Sequence, residues 1–430
     1  MKKIANPSNL LTALQQVVSN GGSPGIDGMT VKGLREWFSS HYRTLSCQLI
    51  EGRYLPEPVK GVEIPKPQGG FRQLGIPTAK DRLVQQAISQ VLTRYYDPEF
   101  SESSYGFRPL RGAHGAIKQA SSYIGEGYSH IVDIDLAKFF DEVNHDRLLW
   151  LLGTGIGDRG LLKLIGRFLR SGMLQGGLVS QRTKGTPQGS PLSPLLSNIV
   201  LDELDKELER RGHRFVRYAD DMIMFMGSEQ AAQRVQGSVT RFIEDRLKLK
   251  VNREKSGIRR PHELTFLGFS FQRNGGATLN RKSEKKLKEK IRQLTRRNRG
   301  ISFEQMVSEL NRVLRGWLNY FRIAAMKAKM QQISGWLRRR LRCFRLKQCK
   351  RAIGMARFLM GLGIAEWRSW LVAGSSKGWY CLSMTNQVHE AMNLAWFKKI
   401  GLYDLFTNYC SYLEETARYG VRMPGGVRGL

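Results

Sequence analysis

Residues 214–226 constrain the fold of this chain more than any other stretch. Two short runs of β-branched, aromatic and other large apolar residues flank a turn that carries Asp220 and Asp221. This pattern predicts a β-hairpin with two adjacent carboxylates at its tip. Carboxylates placed side by side in apolar surroundings repel each other and lose hydration, and a hard divalent cation such as Mg²⁺ would relieve both costs.

A second source of carboxylates lies upstream, in a predicted strand at residues 131–135. Val132 and Ile134 face one side of this strand, and Asp133 and Asp135 face the other. If the strand neighbours the hairpin, Asp135 and Asp220 can hold two metal ions about 4 Å apart, the spacing used for in-line phosphoryl transfer. Adjacent acids in a hairpin are more often a solvated turn, so the choice depends on the surrounding motifs.

These surrounding motifs carry a family resemblance. Residues 218–221 and 135–141 resemble the palm motifs of reverse transcriptases. The remaining motifs occur in the order typical of that family, at residues 25–28, 64–77, 80–82, 104–109, 185–194, 249–256 and 266–269, and residues 314–322 resemble the maturase domain. Together, over roughly residues 20 to 325, the set is similar to the reverse transcriptase/maturase encoded by bacterial group II introns.

The resemblance implies an α+β protein with the right-hand polymerase fold: fingers, a palm built on an antiparallel sheet, an α-helical thumb or maturase domain, and a small helical C-terminal module. We expect an N-terminal extension and fingers at residues 1–80 and a fingers and palm catalytic domain at 81–275. The thumb and maturase domain should occupy 276–355, and a helical nucleic-acid-binding module should follow at 356–430.

The implied reaction is RNA-directed DNA synthesis with two Mg²⁺ ions in the active site. Asp135, Asp220 and Asp221 would be the catalytic carboxylates that bind the metals, and the backbone carbonyl of Leu136 is a further candidate ligand. Lys255 matches the family position near the leaving pyrophosphate, where an ammonium group could act as counter-charge and general acid.

Four residues are predicted to contact the incoming nucleotide. Lys66 and Arg72 flank the turn of a hairpin predicted at 62–77, whose tip could bring cations to the triphosphate. The resemblance implies that Phe140, five residues after Asp135, packs beneath the sugar and rejects a 2′-hydroxyl. Gln188 lies in a loop rich in Gly and Pro and offers a donor and an acceptor; Ser193 should cap the helix after that loop.

The charge of the chain points to a polyanionic partner. It has 69 Lys and Arg against 37 Asp and Glu residues, a formal net charge of +32, which makes nucleic acid the default partner. Residues 281–351 hold 23 basic and 4 acidic residues yet keep a helical apolar period. We therefore expect basic amphipathic helices whose nucleic-acid binding is strongly salt-dependent. The candidate nucleic-acid contacts are Arg338, Arg339, Arg340 and Arg342, with no acid expected to pair with them, and Arg108, which could equally anchor a buried loop.

Several other classes of protein fit less well. No stretch resembles a membrane-spanning helix or a signal-peptide core, so we expect a bacterial cytoplasmic protein that associates with the nucleoid when on DNA. The five scattered cysteines support neither a zinc site nor a disulfide framework. The chain also shows no cysteine-paired endonuclease segment and so resembles the shorter, group IIC-like class.

The expected partners are group II intron RNA, an RNA template–DNA primer duplex, target DNA and deoxynucleotides. The implied function combines reverse transcription with assistance to splicing and with retrohoming by target-primed reverse transcription. Three alternatives remain: a maturase that only binds RNA, a host-recruited reverse transcriptase in DNA repair or defence, and an RNA-directed RNA polymerase. The intact acidic set argues against the first, and Phe140 argues against the last.

Overall fold

The computed structural model describes the backbone of residues 1–65 and 69–422 and the side chains of residues 1–65 and 69–418. The chain divides into two compact units. The first comprises Met1–Leu264 and Arg273–Gly275, and the second comprises Thr265–Gln272 and the described chain from Gly276 onward. Within these described ranges, each helix is too short or too polar to cross a bilayer.

The first unit mixes helices and strands. Its helices are α1 (Pro7–Asn20), α2 (Val31–Ile50), α3 (Ala79–Tyr96), α4 (Ala113–Gly125), α5 (Phe139–Glu142), α6 (His145–Gly155), α7 (Arg159–Arg170), α8 (Ser193–Arg210) and α9 (Glu229–Arg241). Its strands are β1 (Val59–Pro65), β2 (Phe71–Ile76), β3 (His130–Ile134), β4 (Met173–Gln175), β5 (Leu178–Ser180), β6 (Arg214–Tyr218), β7 (Asp221–Met226) and β8 (Gly257–Arg259).

Most of these helices begin where a polar side chain can satisfy a free backbone N–H. Thr30 caps α2 and Asn144 caps α6 in this way. The predicted cap at Ser193 is wrong by one position, because Leu192 occupies the cap and Ser193 is the first helical residue. The Ser193 hydroxyl instead donates to the Pro187 carbonyl at 2.9 Å and so ties the helix to the loop before it.

An antiparallel sheet with strand order β6-β7-β3-β8 forms the centre of the first unit. Its two central strands, β7 and β3, are almost entirely buried, and β7 is apolar from Met222 to Met226. Helix α9 contacts β3, β7 and β8, while α4 and α8 contact β6. The hairpin predicted at 214–226 is confirmed, and its strand β7 pairs with β3, the strand that ends just before Asp135.

A second sheet has the order β2-β1-β4-β5. Its strands β1 and β2 pair antiparallel, as the hairpin predicted at 62–77 requires, with Val62 opposite Leu74 and Ile64 opposite Arg72. Residues 66–68, including Lys66, lie outside the described residues, so the position of that side chain in the hairpin remains a prediction.

The second unit is largely helical. It contains the short strands β9 (Phe269–Phe271) and β10 (Ala277–Leu279) and the helices α10 (Arg281–Leu294), α11 (Phe303–Phe321), α12 (Lys327–Gln348), α13 (Ala352–Met360), α14 (Glu366–Ala373), α15 (Trp379–Leu382), α16 (Asn386–Ala391), α17 (Leu394–Lys399) and α18 (Leu405–Arg422). Helices α10 and α11 bury the apolar stripe predicted for them. The predicted α+β class is therefore confirmed.

Candidate active site

The central sheet brings three carboxylates to one of its ends. Ile134 pairs with Met222, so Asp135, the next residue of the chain, continues opposite Asp221. The β6–β7 hairpin pairs Tyr218 with Asp221 and leaves Asp220 in its two-residue turn. The antiparallel register thus assembles acids that are more than 80 residues apart in sequence.

The electrostatics of this cluster agree with close approach. Partial burial raises the pKa of Asp221 to about 6, and the negative charges of Asp220, Asp135 and Asp133 add to this shift. The residue nevertheless remains exposed to solvent at the surface of the unit. Enclosure also raises the pKa of Asp220; Asp135 adds to this shift, and Arg72 opposes it. Folding therefore brings negative charges together at a cost in electrostatic free energy, and a bound cation would remove that cost.

Asp135 is held in place by the turn at residues 252–256, just before β8. The Asn252 N–H donates to the Asp135 carbonyl at 2.9 Å, and the Asp135 N–H donates to the Ser256 hydroxyl at 3.0 Å. The same turn places the Lys255 ammonium 3.7 Å from the Asp135 carboxylate, with 59% of the lysine side chain exposed. Lys255 therefore lies at the acidic cluster, where its cation can also be reached from solvent.

Leu136 continues this connection between the two segments. It forms a β-bridge with Val251, and the neighbouring Ala137 N–H donates to the Lys250 carbonyl at 2.8 Å. The Leu136 side chain is buried. Its backbone therefore runs beside the acidic cluster, and its role as a metal ligand stays a prediction.

A buried ion pair that the sequence did not reveal lies behind the hairpin turn. Arg217 and Asp205 are both fully buried, and the Arg217 Nε donates to Asp205 at 2.8 Å. Nη1 of the same guanidinium donates to the Ala219 carbonyl at 3.1 Å and to the Asn198 side chain at 2.9 Å. Ala219 has φ of 58°, a left-handed conformation that is costly for alanine. The guanidinium thus holds the strained residue that precedes Asp220.

A loop at residues 103–106 closes the other side of that turn. The Arg217 N–H donates to the Ser103 carbonyl and the Tyr105 N–H donates to the Arg217 carbonyl, both at 2.9 Å. A side chain at Gly106 would overlap the Ala219 backbone nitrogen, so only glycine permits this approach. Backbone contacts and the Arg217 guanidinium together determine where the Asp220 carboxylate points.

Arg108 anchors this loop internally, which corrects its prediction as a template contact. The side chain is buried and forms an ion pair of 2.7 Å with Asp97. It also donates to the carbonyls of Ser101 at 2.6 Å and Ser104 at 3.1 Å. These acceptors enclose the guanidinium, so the alternative of a buried loop anchored by an arginine is the one that the structure supports.

Phe140 and Gln188 line the same cavity, of about 600 Å³, in the first unit. The Thr186 N–H donates to the Phe140 carbonyl at 2.6 Å and the Gly185 N–H donates to the Val143 carbonyl at 2.7 Å. These bonds fasten the loop that carries Gln188 to the segment that carries Phe140. Two of the four residues predicted to contact the nucleotide are therefore held in fixed positions relative to each other.

Arg72 is exposed on β2, and its positive charge partly offsets the raised pKa of Asp220. The structure thus brings one of the two predicted triphosphate contacts toward the acidic cluster. Lys66 lies outside the residues that the structure describes, and its role remains a prediction.

The basic run at 338–342 corrects one expectation, because an acid does pair with it, while its role in binding nucleic acid stays a prediction. Arg338 forms an ion pair of 2.5 Å with Asp404, although no acidic partner was expected. Arg339 stacks 3.4 Å from the Tyr380 ring centroid, and the Arg340 Nε donates to the Thr295 hydroxyl at 2.6 Å. Arg342 is buried, with its guanidinium donating to the carbonyl of residue 392 at 2.8 Å.

Comparison with known proteins identifies the family. A model described as reverse transcriptase (RNA-dependent DNA polymerase) matches residues 64–271, and a model of the group II intron maturase-specific domain matches residues 284–360. Protein YkfC of Escherichia coli (strain K12) is 30% identical over 302 residues, which cover 61% of this chain and 79% of YkfC. The chain belongs to the group II intron reverse transcriptase/maturase family.

Two further relatives of this reverse transcriptase/maturase are intron proteins. Group II intron-encoded protein LtrA of Lactococcus lactis subsp. cremoris is 29% identical over 66% of the chain. A putative COX1/OXI3 intron 2 protein of Saccharomyces cerevisiae is 29% identical over 63% of the chain. The match spans 58% of LtrA and 38% of the yeast protein, so the chain corresponds to only part of these longer relatives.

The acidic cluster is not closed around a single point. Within the described ranges, no group of three or more acidic, histidine or cysteine side chains is arranged to hold a metal ion. Carboxylates of the reverse transcriptase/maturase that already repel one another and reach solvent nevertheless fit a hard cation such as Mg²⁺. This ion usually binds one or two protein carboxylates and takes its other ligands from water and substrate phosphates.

Proposed function

We propose that this protein is an RNA-directed DNA polymerase that extends a DNA primer on an RNA template. The observation that carries the proposal is the convergence of Asp135, Asp220 and Asp221 at one end of an antiparallel sheet. This sheet lies inside the region matched by the reverse transcriptase family model. The reaction is a nucleotidyl transfer in which the primer 3′-oxygen attacks the α-phosphate and pyrophosphate leaves.

The three carboxylates, with the Leu136 carbonyl as a further donor, would hold two Mg²⁺ ions. When bound, these ions would lower the pKa of the primer 3′-hydroxyl and neutralise charge on the leaving pyrophosphate. The contribution of the protein is to keep Asp220 aimed by the Ala219 turn and Asp135 fixed by Asn252 and Ser256.

Lys255 and Arg72 would act on the triphosphate. Lys255 lies at the Asp135 carboxylate and is accessible, so its ammonium can counter the charge of the departing pyrophosphate and donate a proton to it. Arg72 lies on a hairpin and would pair with the outer phosphates as the nucleotide binds. Lys66 would assist it from the same hairpin.

Phe140 would select deoxynucleotides. In Phe140→Ala, the efficiency kcat/KM for a ribonucleotide relative to its deoxynucleotide is expected to rise by about 100-fold, because the aromatic ring no longer excludes the 2′-hydroxyl. Single-nucleotide extension with each substrate measures this ratio. Phe140→Tyr, which keeps the ring, should leave it near the wild-type value. An unchanged ratio in an active Phe140→Ala enzyme would remove Phe140 from sugar selection.

The maturase-specific match extends the proposal to intron RNA binding, assistance to splicing and retrohoming on target DNA. The excess of basic residues over acidic ones supports a nucleic-acid partner for both units. A host-recruited reverse transcriptase would use the same chemistry without an intron. Intron RNA ends in the DNA that flanks the coding sequence would favour the mobile-element reading.

The test is primer extension by the wild-type protein on an RNA template with deoxynucleotides. Extension is expected with Mg²⁺, and a chelator should abolish it because the carboxylates alone cannot neutralise the leaving group. Binding of the RNA is measured in parallel. A protein that binds RNA tightly but extends no primer would instead be a maturase without polymerase activity.

A further inference from the structure

A cavity of about 600 Å³ opens at the end of the central sheet opposite the acidic cluster. Tyr128 and Ser129 line it and directly precede β3, whereas Asp135 follows the other end of that strand. Asp135 lies six positions after Ser129 along extended chain, a distance of roughly 20 Å. The cavity is therefore separate from the polymerase site.

Two arginines and a histidine line this cavity. Arg260 and His262 come from the chain just after β8, and Arg273 comes from the turn at Arg273–Gly275. The remaining lining residues, Ile124, Gly127, Tyr128, Ser129 and Pro261, are uncharged. The cavity thus combines two guanidinium groups and an imidazole with an apolar wall.

The geometry of the fold keeps the two arginines at this opening. Ile131 pairs with Arg259, so Arg260 leaves the sheet beside the start of β3. Arg273 lies in the same turn as Gly275, where a side chain would overlap the Ser121 carbonyl of α4, so the turn lies close against that helix. Two segments held on the first unit therefore present arginines to one cavity.

Neither guanidinium is neutralised by the protein. Within the described ranges, Arg260 and Arg273 have no carboxylate oxygen within 4.0 Å. The nearest acid on the same segment is Glu263, whose carboxylate accepts the Arg260 backbone N–H at 3.0 Å and lies 3.8 Å from the His262 ring. This differs from Arg338, Arg217 and Arg108, which are all paired with acids.

A third arginine lies next to the cavity. Arg214 hydrogen-bonds with the phenol of Tyr128, and its guanidinium is 5.8 Å from the centroid of the Tyr123 ring. A third guanidinium therefore lies beside the opening, close enough to the Glu126 carboxylate to feel its charge. A single free anion would use only the cavity itself.

We propose that this cavity binds one nucleotide unit of an RNA strand outside the polymerase site. The phosphate would lie between Arg260 and Arg273, whose forked donors match phosphate oxygens, and the base would pack against Tyr128 and Pro261. The inference rests on the proposed function in taking RNA as the ligand. The site extends RNA binding to a face of the catalytic unit away from the metal-binding carboxylates.

The test compares two double variants with the same loss of charge. Arg260→Gln/Arg273→Gln removes the two cavity cations, and Arg234→Gln/Arg241→Gln removes two exposed arginines of α9 that do not line the cavity. The probes are a long single-stranded RNA, whose affinity is measured by fluorescence anisotropy over a range of salt, and a short template–primer, whose extension is measured. Thermal unfolding confirms that each variant is folded.

The cavity variant is expected to bind the long RNA about tenfold more weakly, with a salt slope smaller by about one to two, while short-primer extension is unchanged. The α9 variant should bind within about twofold of wild type. Ultraviolet crosslinking of the RNA to the Tyr128 peptide should occur in the wild type and weaken in the cavity variant only.

Equal losses of affinity in both variants would overturn the proposal, since they would reflect total charge. A raised KM for deoxynucleotides without a change in RNA affinity would overturn it as well, by assigning the cavity to a free nucleotide. Because RNA binding is measured without catalysis, a wild-type protein that fails to polymerise does not decide the outcome. The two proposals therefore fail separately.

Discussion

Replacing Asp220 with alanine is expected to lower RNA-templated primer extension by at least about 10³-fold, because a lost metal ligand removes several kcal/mol of transition-state stabilisation. RNA affinity should stay at the wild-type value, since Asp220 is proposed to bind a metal ion and does not supply a positive charge for RNA. The melting temperature should be unchanged or higher, because the substitution removes one of the charges that raise the pKa of Asp221. Extension, RNA binding and thermal unfolding measured on one preparation check all three.

Asp245→Ala provides the matched control for this variant. Asp245 is an exposed carboxylate in the π-helical turn Phe242–Arg246, on the same unit and outside the acidic cluster. Its removal should leave extension within about twofold of wild type, as for other surface substitutions. If Asp220→Ala kept near-normal activity, or lost RNA binding together with activity, the metal assignment would be wrong.

Replacing Arg217 with methionine is expected to destabilise the protein by about 3–5 kcal/mol, because it leaves Asp205 buried and unpaired. The double variant Arg217→Met/Asp205→Leu should recover most of this stability, since an apolar pair can replace a buried ion pair. Its polymerase activity should remain lower by about 10- to 100-fold, because the Ala219 carbonyl loses its donor and the Asp220 carboxylate is no longer held in place.

Denaturant unfolding and primer extension on the same samples separate the two effects. Arg253→Met is the control, because Arg253 pairs with Glu244 at 3.2 Å on the surface and is 78% exposed; such a pair contributes about 0–1 kcal/mol. If the double variant recovered full activity as well as stability, Arg217 would only stabilise the fold. A normal KM for the nucleotide with reduced kcat would instead indicate a positioning role.

The carboxylate cluster could be predicted because its elements follow local rules. The apolar runs around Asp220 and Asp221 form a hairpin by themselves, and the alternation of Val132 and Ile134 with aspartates specifies a strand. The pairing of the two is the natural way to bury both apolar sets. The hairpin at 62–77 follows from the same alternation.

The acidic partner of the basic run at 338–342 was missed because it is distant in sequence. Asp404 is 66 residues beyond Arg338, and composition within a window cannot detect it. Arg108 likewise depends on Asp97 and on carbonyls whose direction is a property of the folded loop. An excess of local charge therefore identifies a nucleic-acid-binding protein better than it identifies the contacting residues.

The amino-acid sequence does contain a sign of the buried Arg217–Asp205 ion pair. Arg217 stands at a buried position in a strand whose neighbours are apolar. Asn198 and Asp205 are seven residues apart on α8, so they share a helix face with Leu201 and Leu208, which are buried. A charge on each of two apolar surfaces predicts a buried pair, although sequence alone does not say that these two surfaces meet.

The hydrogen bond between Asp135 and Ser256 also affects the timing of folding during synthesis. The two residues are 121 positions apart, so a ribosome that has just added Asp135 needs roughly 6 to 24 s to supply its anchor. Until then the Asp135 backbone N–H lacks the Ser256 hydroxyl, and β8, which follows Ser256, has yet to join the sheet. A nascent chain shorter than this is expected to be unable to copy RNA, including the transcript from which it is being translated.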